Sequence, residues 1–206
     1  MIPLINFLPS ILPKVPGCTN PVAYEGIKQA VKKLCEFTKA WRFTNTVTSS
    51  LSILNLYFTP TNSTVIQINA VRFNGRALEA ISVGELDELN PDWRNAIGVD
   101  QPIYYTQTEY DTLRLYPVAV GELSIDLTLR PSDSAPEVPD FIFTHFKEAI
   151  SVGALSYIYM IPGQAFSSPN FAMAYKQEFD NYLYSNNGVG IQGQQKARLK
   201  TKPQLF

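Results

Sequence analysis

The sequence predicts an α+β chain: a helical bundle, made of an N-terminal helix and a C-terminal αα-hairpin, with an inserted antiparallel β-domain and an extended C-terminal arm. Three observations carry this. Long runs with apolar residues at helical spacing lie near the two ends, at 21–40, at 140–161 and after Pro169. Between them the composition shifts to Thr, Ser, Val, Ile, Leu and Tyr with period-two alternation, the mark of half-buried strands. From Ser185 the chain turns Gly/Gln-rich and then basic, with no acidic residue after Asp180. The implied divisions are 1–41 (irregular N-terminus and first bundle helix), 42–131 (β-domain), 132–184 (helical hairpin) and 185–206 (arm).

With 206 residues, 45% hydrophobic and 17% charged, the chain can bury a sizeable core and is not globally disordered. A net charge of −1 provides no global field toward nucleic acid or anionic membrane. Two cysteines, Cys18 and Cys35, cannot form a disulfide framework and read as free thiols. Met1 to Leu12 is apolar but lacks a basic start and carries Pro3 and Pro9, which argues against a signal peptide. No run reaches the length of a transmembrane helix.

In chain order, Pro3, Pro9, Pro13 and Pro16 exclude a continuous helix and predict an irregular start. Asn20 offers an N-cap oxygen and Pro21 suits the first helical turn. Ala23, Ile27, Ala30, Val31, Leu34, Cys35 and Trp41 then line one face, leaving Lys28, Lys32 and Lys33 on a solvated one. Asn74-Gly75 signals a type I′ hairpin. Ser82-Val83-Gly84-Glu85 reads as a capping box opening a short helix, Val83 to Leu89, with Trp93 beyond it as an apolar lid. The runs Leu113–Pro117 and Leu123–Arg130 alternate strictly and predict a hairpin, with Leu123, Ile125, Leu127 and Leu129 on the core face. Ser132 to Pro139 reads as a proline-rich linker. Ile142, Phe146, Ile150, Gly153, Ala154, Tyr157 and Ile161 share the next helical face. Phe171, Tyr175, Phe179 and Tyr182 share that of the last helix, entered at Ser168-Pro169. The helix at 21–40 can bury its stripe only on these two.

Candidate chemistry is sparse. The single His145 falls on a polar helix face, and one histidine with two distant cysteines supports no ordinary zinc site. Glu85, Asp87 and Glu88 resemble a glycosidase pair less than first-turn acids that complement a helix dipole. No phosphate loop, dinucleotide fingerprint or nucleophile elbow occurs. The reading is non-enzymatic, without metal or cofactor.

Several segments together resemble the bacteriophage head-to-tail adaptor (connector) family. They are Ile11–Cys18 followed by the helix ending Leu34–Trp41; Leu86–Trp93 with Pro102–Tyr105; and Leu113–Pro117 with Gly121–Leu123 and Arg130-Pro131. The helix after Pro139 completes the likeness. The resemblance implies a ring, commonly of twelve subunits, docked beneath the portal protein and joining it to a tail nozzle or tail tube protein. DNA would pass through its lumen without sequence-specific binding. The helices would form the ring body, with the β-domain outward or toward the tail. The tail's composition leaves two readings open, a solvated tail and an arm that captures a partner. The resemblance, here one of position and character, implies an arm that docks on the portal, with Lys196, Arg198, Leu199, Lys200, Lys202, Leu205 and Phe206 as the candidate contacts, cations to steer encounter and apolar anchors to hold it. Another tail-neck component (terminator or nozzle protein) and a carbohydrate-binding β-module are the competing readings.

Overall fold

The structure, a computed structural model, describes residues 1–50, 56–94 and 101–187. The chain forms two compact units. One is built from Met1–Trp41 and the chain after Leu129; the other is Arg42–Leu129.

The helical unit begins with a short strand, β1 (Ile2–Pro3), and a 3-10 turn at Leu4–Phe7. A one-turn helix, α1 (Leu8–Ile11), and a second 3-10 turn at Leu12–Lys14 follow. The start is therefore not irregular, as the prolines suggested. Pro9 and Pro13 each sit in the first turn of a short helix, where the absent N–H has no partner to lose. Leu4, Phe7, Leu8, Ile11 and Val15 are all buried, so these turns are core.

Helix α2 spans Asn20–Thr38. Its N-cap is Thr19, one residue before the expected Asn20, and Pro21 falls in the first turn. Lys39 closes it in the left-handed conformation, φ 52°, so Trp41 lies beyond the helix although it is buried. The predicted stripe from Ala23 to Cys35 is buried throughout.

In the β-unit, β2 (Arg42–Ser49), β3 (Leu56–Tyr57), β4 (Ser63–Phe73), β5 (Arg76–Ala77) and β6 (Glu79–Ala80) come first. Then follow α3 (Val83–Leu89), β7 (Tyr104–Thr106), β8 (Thr112–Tyr116) and β9 (Gly121–Pro131). Two four-stranded sheets result, ordered β2-β9-β4-β5 and β3-β8-β7-β6. β2 with β9, β3 with β8, β4 with β5 and β7 with β8 pair antiparallel, and the two-residue pairing of β6 with β7 is parallel. Asn74 and Gly75 both have positive φ, 47° and 82°, as the tight β4–β5 turn requires.

The expected hairpin between Leu113–Pro117 and Leu123–Arg130 does not form. β8 pairs with β3 and β7, whereas β9 pairs with β2 and β4 in the other sheet. Alternation fixes which side chains are buried, and it holds: Leu113, Leu115, Leu123, Ile125, Leu127 and Leu129 are all within the core. It carries no information on which strand lies alongside.

The stretch read as a linker, Ser132–Pro139, contains β10 (Glu137–Val138), which pairs with β1, and buries Ala135 and Val138. Helix α4 (Asp140–Tyr159) and helix α5 (Pro169–Ser185) form the expected αα-hairpin, and α2 packs on α4. Residues 149–156 of α4 are buried on every side, so its stripe is a full cylinder there. At the end of α4 it is Ile158 that is buried, while the predicted Tyr157 is 39% exposed. Along α5 the buried set is Ala172, Phe179 and Leu183; Phe171 is exposed and Tyr175 and Tyr182 are half-buried. The 3.6-residue period rotates the packed face away from Phe171 toward Ala172. Tyr175 stacks on Tyr159 with ring centroids 5.7 Å apart. Among the described residues, no helix is long and apolar enough to cross a membrane. Both cysteines are free; Cys35 is buried and Cys18 half-buried.

Candidate functional site

The acidic residues of α3 are each held by local contacts. The Ser82 hydroxyl accepts from the Glu85 amide at 3.2 Å while the Glu85 carboxylate accepts from the Ser82 amide at 2.9 Å, which completes the capping box. Those bonds, the Ser82 amide first and its hydroxyl second, hold the Glu85 carboxyl below its usual range. Asp87 accepts from Arg94 at 2.5 Å and from the Trp93 indole N–H at 2.7 Å, and its carboxyl is lowered by the same partners in that order. These are structural tasks.

Trp93 is buried, as its lid role predicts, and two guanidinium groups approach its ring: Arg94 at 4.7 Å and Arg114 at 4.9 Å. Arg114 also donates to the Arg94 carbonyl, and burial, with Arg94 nearby, lowers its own pKa. A turn beyond β7 presents Tyr110 with 97% of its surface exposed. The turn is braced behind it: the Asp111 carboxylate accepts from the Thr59 hydroxyl at 2.6 Å, and the Thr112 hydroxyl donates to the Glu109 carbonyl at 3.0 Å.

The lysines of α2 do not form a merely solvated face. Lys28 donates to the Asp133 carbonyl at 2.8 Å, and Lys32, nearly buried, pairs with the Asp133 carboxylate. Lys33 pairs with Asp180 at 2.7 Å and lies 5.4 Å from the Phe179 ring centroid. The partners stand about a hundred residues or more away in sequence, beyond what helical spacing can reveal.

His145 is exposed, as expected, and lines a groove of about 460 Å³ with Phe143, Phe146 and Tyr182. A second groove, of about 400 Å³, lies between α2 and α4 and is lined by Pro21, Val22, Gly26, Tyr157, Ile158 and Ile161. It is strongly apolar. Among the described residues, no group of three or more His, Cys, Asp and Glu is placed to hold a metal ion. The arm residues Lys196, Arg198, Leu199, Lys200, Lys202, Leu205 and Phe206 lie outside the described residues.

What this surface offers is a braced aromatic, an apolar groove and ion-paired struts, the equipment of a protein that works by docking to other proteins. Its class is that of a structural assembly component. The chain belongs to the SU10 adaptor protein family, whose model matches residues 22–199. It is a phage head-to-tail adaptor, a part of the virion neck that binds other neck proteins. The match crosses both units and reaches Lys196, Arg198 and Leu199, stopping before Lys200. No curated protein matches the chain.

Proposed function

We propose that copies of this chain form a ring, dodecameric in this reading, beneath the portal protein, joining it to a tail nozzle or tail tube protein. The observation that carries the reading is the adaptor family match over residues 22–199. The helical divisions, 1–41 and 132–184, form the ring body, and 42–131 faces outward or toward the tail. DNA passes through the lumen. A net charge of −1 suits a conduit, because a strongly basic wall would release counterions and grip the phosphates. A closed ring needs two different, complementary faces on each copy. The α2–α4 groove and the outward apolar residues of α5, Phe171 and Met173, supply two such faces. The arm, 185–206, docks on the portal: Leu199, Leu205 and Phe206 anchor it, and Lys196, Arg198, Lys200 and Lys202 steer it.

The test is to mix the purified chain with the portal of the same phage and image the product by cryo-electron microscopy. A ring of this chain on the tail-facing end of the portal is expected, while the chain alone stays monomeric. Deleting residues 190–206 leaves the fold and abolishes docking. A chain that leaves the portal bare overturns the adaptor geometry. A truncated chain that docks as well as the full one removes the arm from it.

A further inference from the structure

The groove beside His145 lies where the arm begins. Its walls are the aromatic side chains Phe143 and Phe146 of α4 and Tyr182 of α5, and Asn186 also lines it. Helix α5 ends there: Asn186 leaves helical geometry at φ −106°, ψ 10°, and its side-chain amide donates to the Tyr182 carbonyl at 2.8 Å. The chain thus leaves the bundle at the wall of a groove that joins aromatic side chains to a polar rim of Thr144, Lys147 and Glu148.

The sequence that follows is Gly188-Val189-Gly190-Ile191-Gln192-Gly193. Val189 and Ile191 are the only apolar side chains between Tyr184 and Ala197. A spacing of two puts both on one side of an extended chain, and the glycines around them add no bulk. From Asn186, three residues reach roughly 10 Å, enough to lay Val189 into the groove. Charge agrees with this. The groove carries Lys147 and Glu148, opposite in sign, and the Lys147 ammonium lies 5.1 Å from the Phe143 ring centroid. It asks for no net charge, and residues 185–195 carry none.

We propose that Val189 and Ile191 of the same chain occupy this groove and tether the root of the C-terminal arm to the bundle. The contact is intramolecular, so it stands apart from the ring and portal reading. It leaves residues 194–206 free to reach a partner, a span of about 40 Å when extended.

His145 is the only histidine of the chain and lines the groove, so its acylation by diethyl pyrocarbonate reports on occupancy. The measurement needs only the isolated full-length chain at a single pH. A variant carrying Val189→Ser and Ile191→Ser is expected to react roughly threefold to tenfold faster than wild type, since a short tether holds its segment at millimolar effective concentration. Gln194→Ser with Gln195→Ser, beyond the tether, should react like wild type. All four positions lie outside the described bundle, so its fold is not at stake. Equal rates in wild type and the Val189/Ile191 variant overturn the proposal, as does equal acceleration in the Gln194/Gln195 control. A wild-type rate that rises on dilution overturns it too, by assigning the groove to a second copy.

Discussion

The two units bury their cores by opposite geometries. In the helical unit one element, α4, is enclosed on all sides from residue 149 to 156, and no face there is left to solvent. In the β-unit, β9 keeps its apolar side chains on one face and its polar ones on the other, where Thr128 too is buried. Leu123, Ile125, Leu127 and Leu129 point inward, while Asp126 on the other face accepts from Thr44 of β2 at 2.8 Å and Arg72 of β4 at 2.6 Å. A strand alternates its faces, so β9 packs with one and pairs side chains across strands with the other. In the enclosed helix the polar groups turn back on its own backbone, Ser151 donating to the Lys147 carbonyl at 2.8 Å and Ser156 to the Gly153 carbonyl at 2.7 Å. Added volume should therefore hurt the helical unit, and removed volume or charge should be the sharper probe of the sheet.

The largest effect is expected from Leu127→Ala, which empties a fully buried position on β9 and should cost about 2–5 kcal/mol in urea unfolding. Next is Gly153→Ala. A Cβ there would stand 2.9 Å from the Ala30 Cβ and 2.9 Å from the Phe179 ring, closer than atoms pack. Overpacking of about 1–3 kcal/mol should exceed the gain of about 1 kcal/mol in helix propensity. Adding Ala30→Gly should recover part of the loss, and a strictly additive pair would show that the clash is relieved elsewhere. Ser82→Ala, which removes the capping hydroxyl of α3, should cost about 1 kcal/mol, with no change in the denaturant slope.

The smallest effect concerns acid. Burial alone would raise the Asp126 carboxyl, but the hydrogen bonds from Arg72 and Thr44 outweigh it and hold it below the usual range. A carboxyl lowered by folding contributes its full stability above an unfolded value of about 3.9 and loses it as pH falls through the folded value. Asp126→Asn should therefore flatten the acid limb of the stability profile below about pH 4 and leave its shape near neutrality unchanged. An acid limb as steep in the variant as in wild type would assign the acid sensitivity to other carboxylates.

Much of this was legible in the sequence because it is local. The Ser82–Glu85 box, the Asn74-Gly75 turn, the buried faces of α2 and β9, and the αα-hairpin each follow from residues within a few turns of one another. What stayed hidden depends on partners far along the chain. Nothing near Leu113 says that its strand joins β3 and β7 instead of β9. Nothing near Lys32 announces Asp133, and nothing near Ile2 announces Val138. Tyr157 and Ile158 are neighbours on one helix, and only the position of α2 decides which is covered: Gly26 lets α2 approach so closely that a Cβ there would meet the Ile158 side chain at 3.1 Å. The arm residues singled out from the sequence lie outside the described residues, so their reading rests on charge and apolar pattern together with the family.

The free thiols have a consequence for a particle that must wait for a host. A released virion meets air and peroxide. Thiolate, not thiol, is the form that oxidants attack. Burial, with a small contribution from Glu36, pushes the Cys35 thiol up to about 12, and burial raises Cys18 as well. Neither side chain holds an appreciable thiolate fraction at neutral pH. Oxidation is thereby slowed at both positions, and most at the buried Cys35.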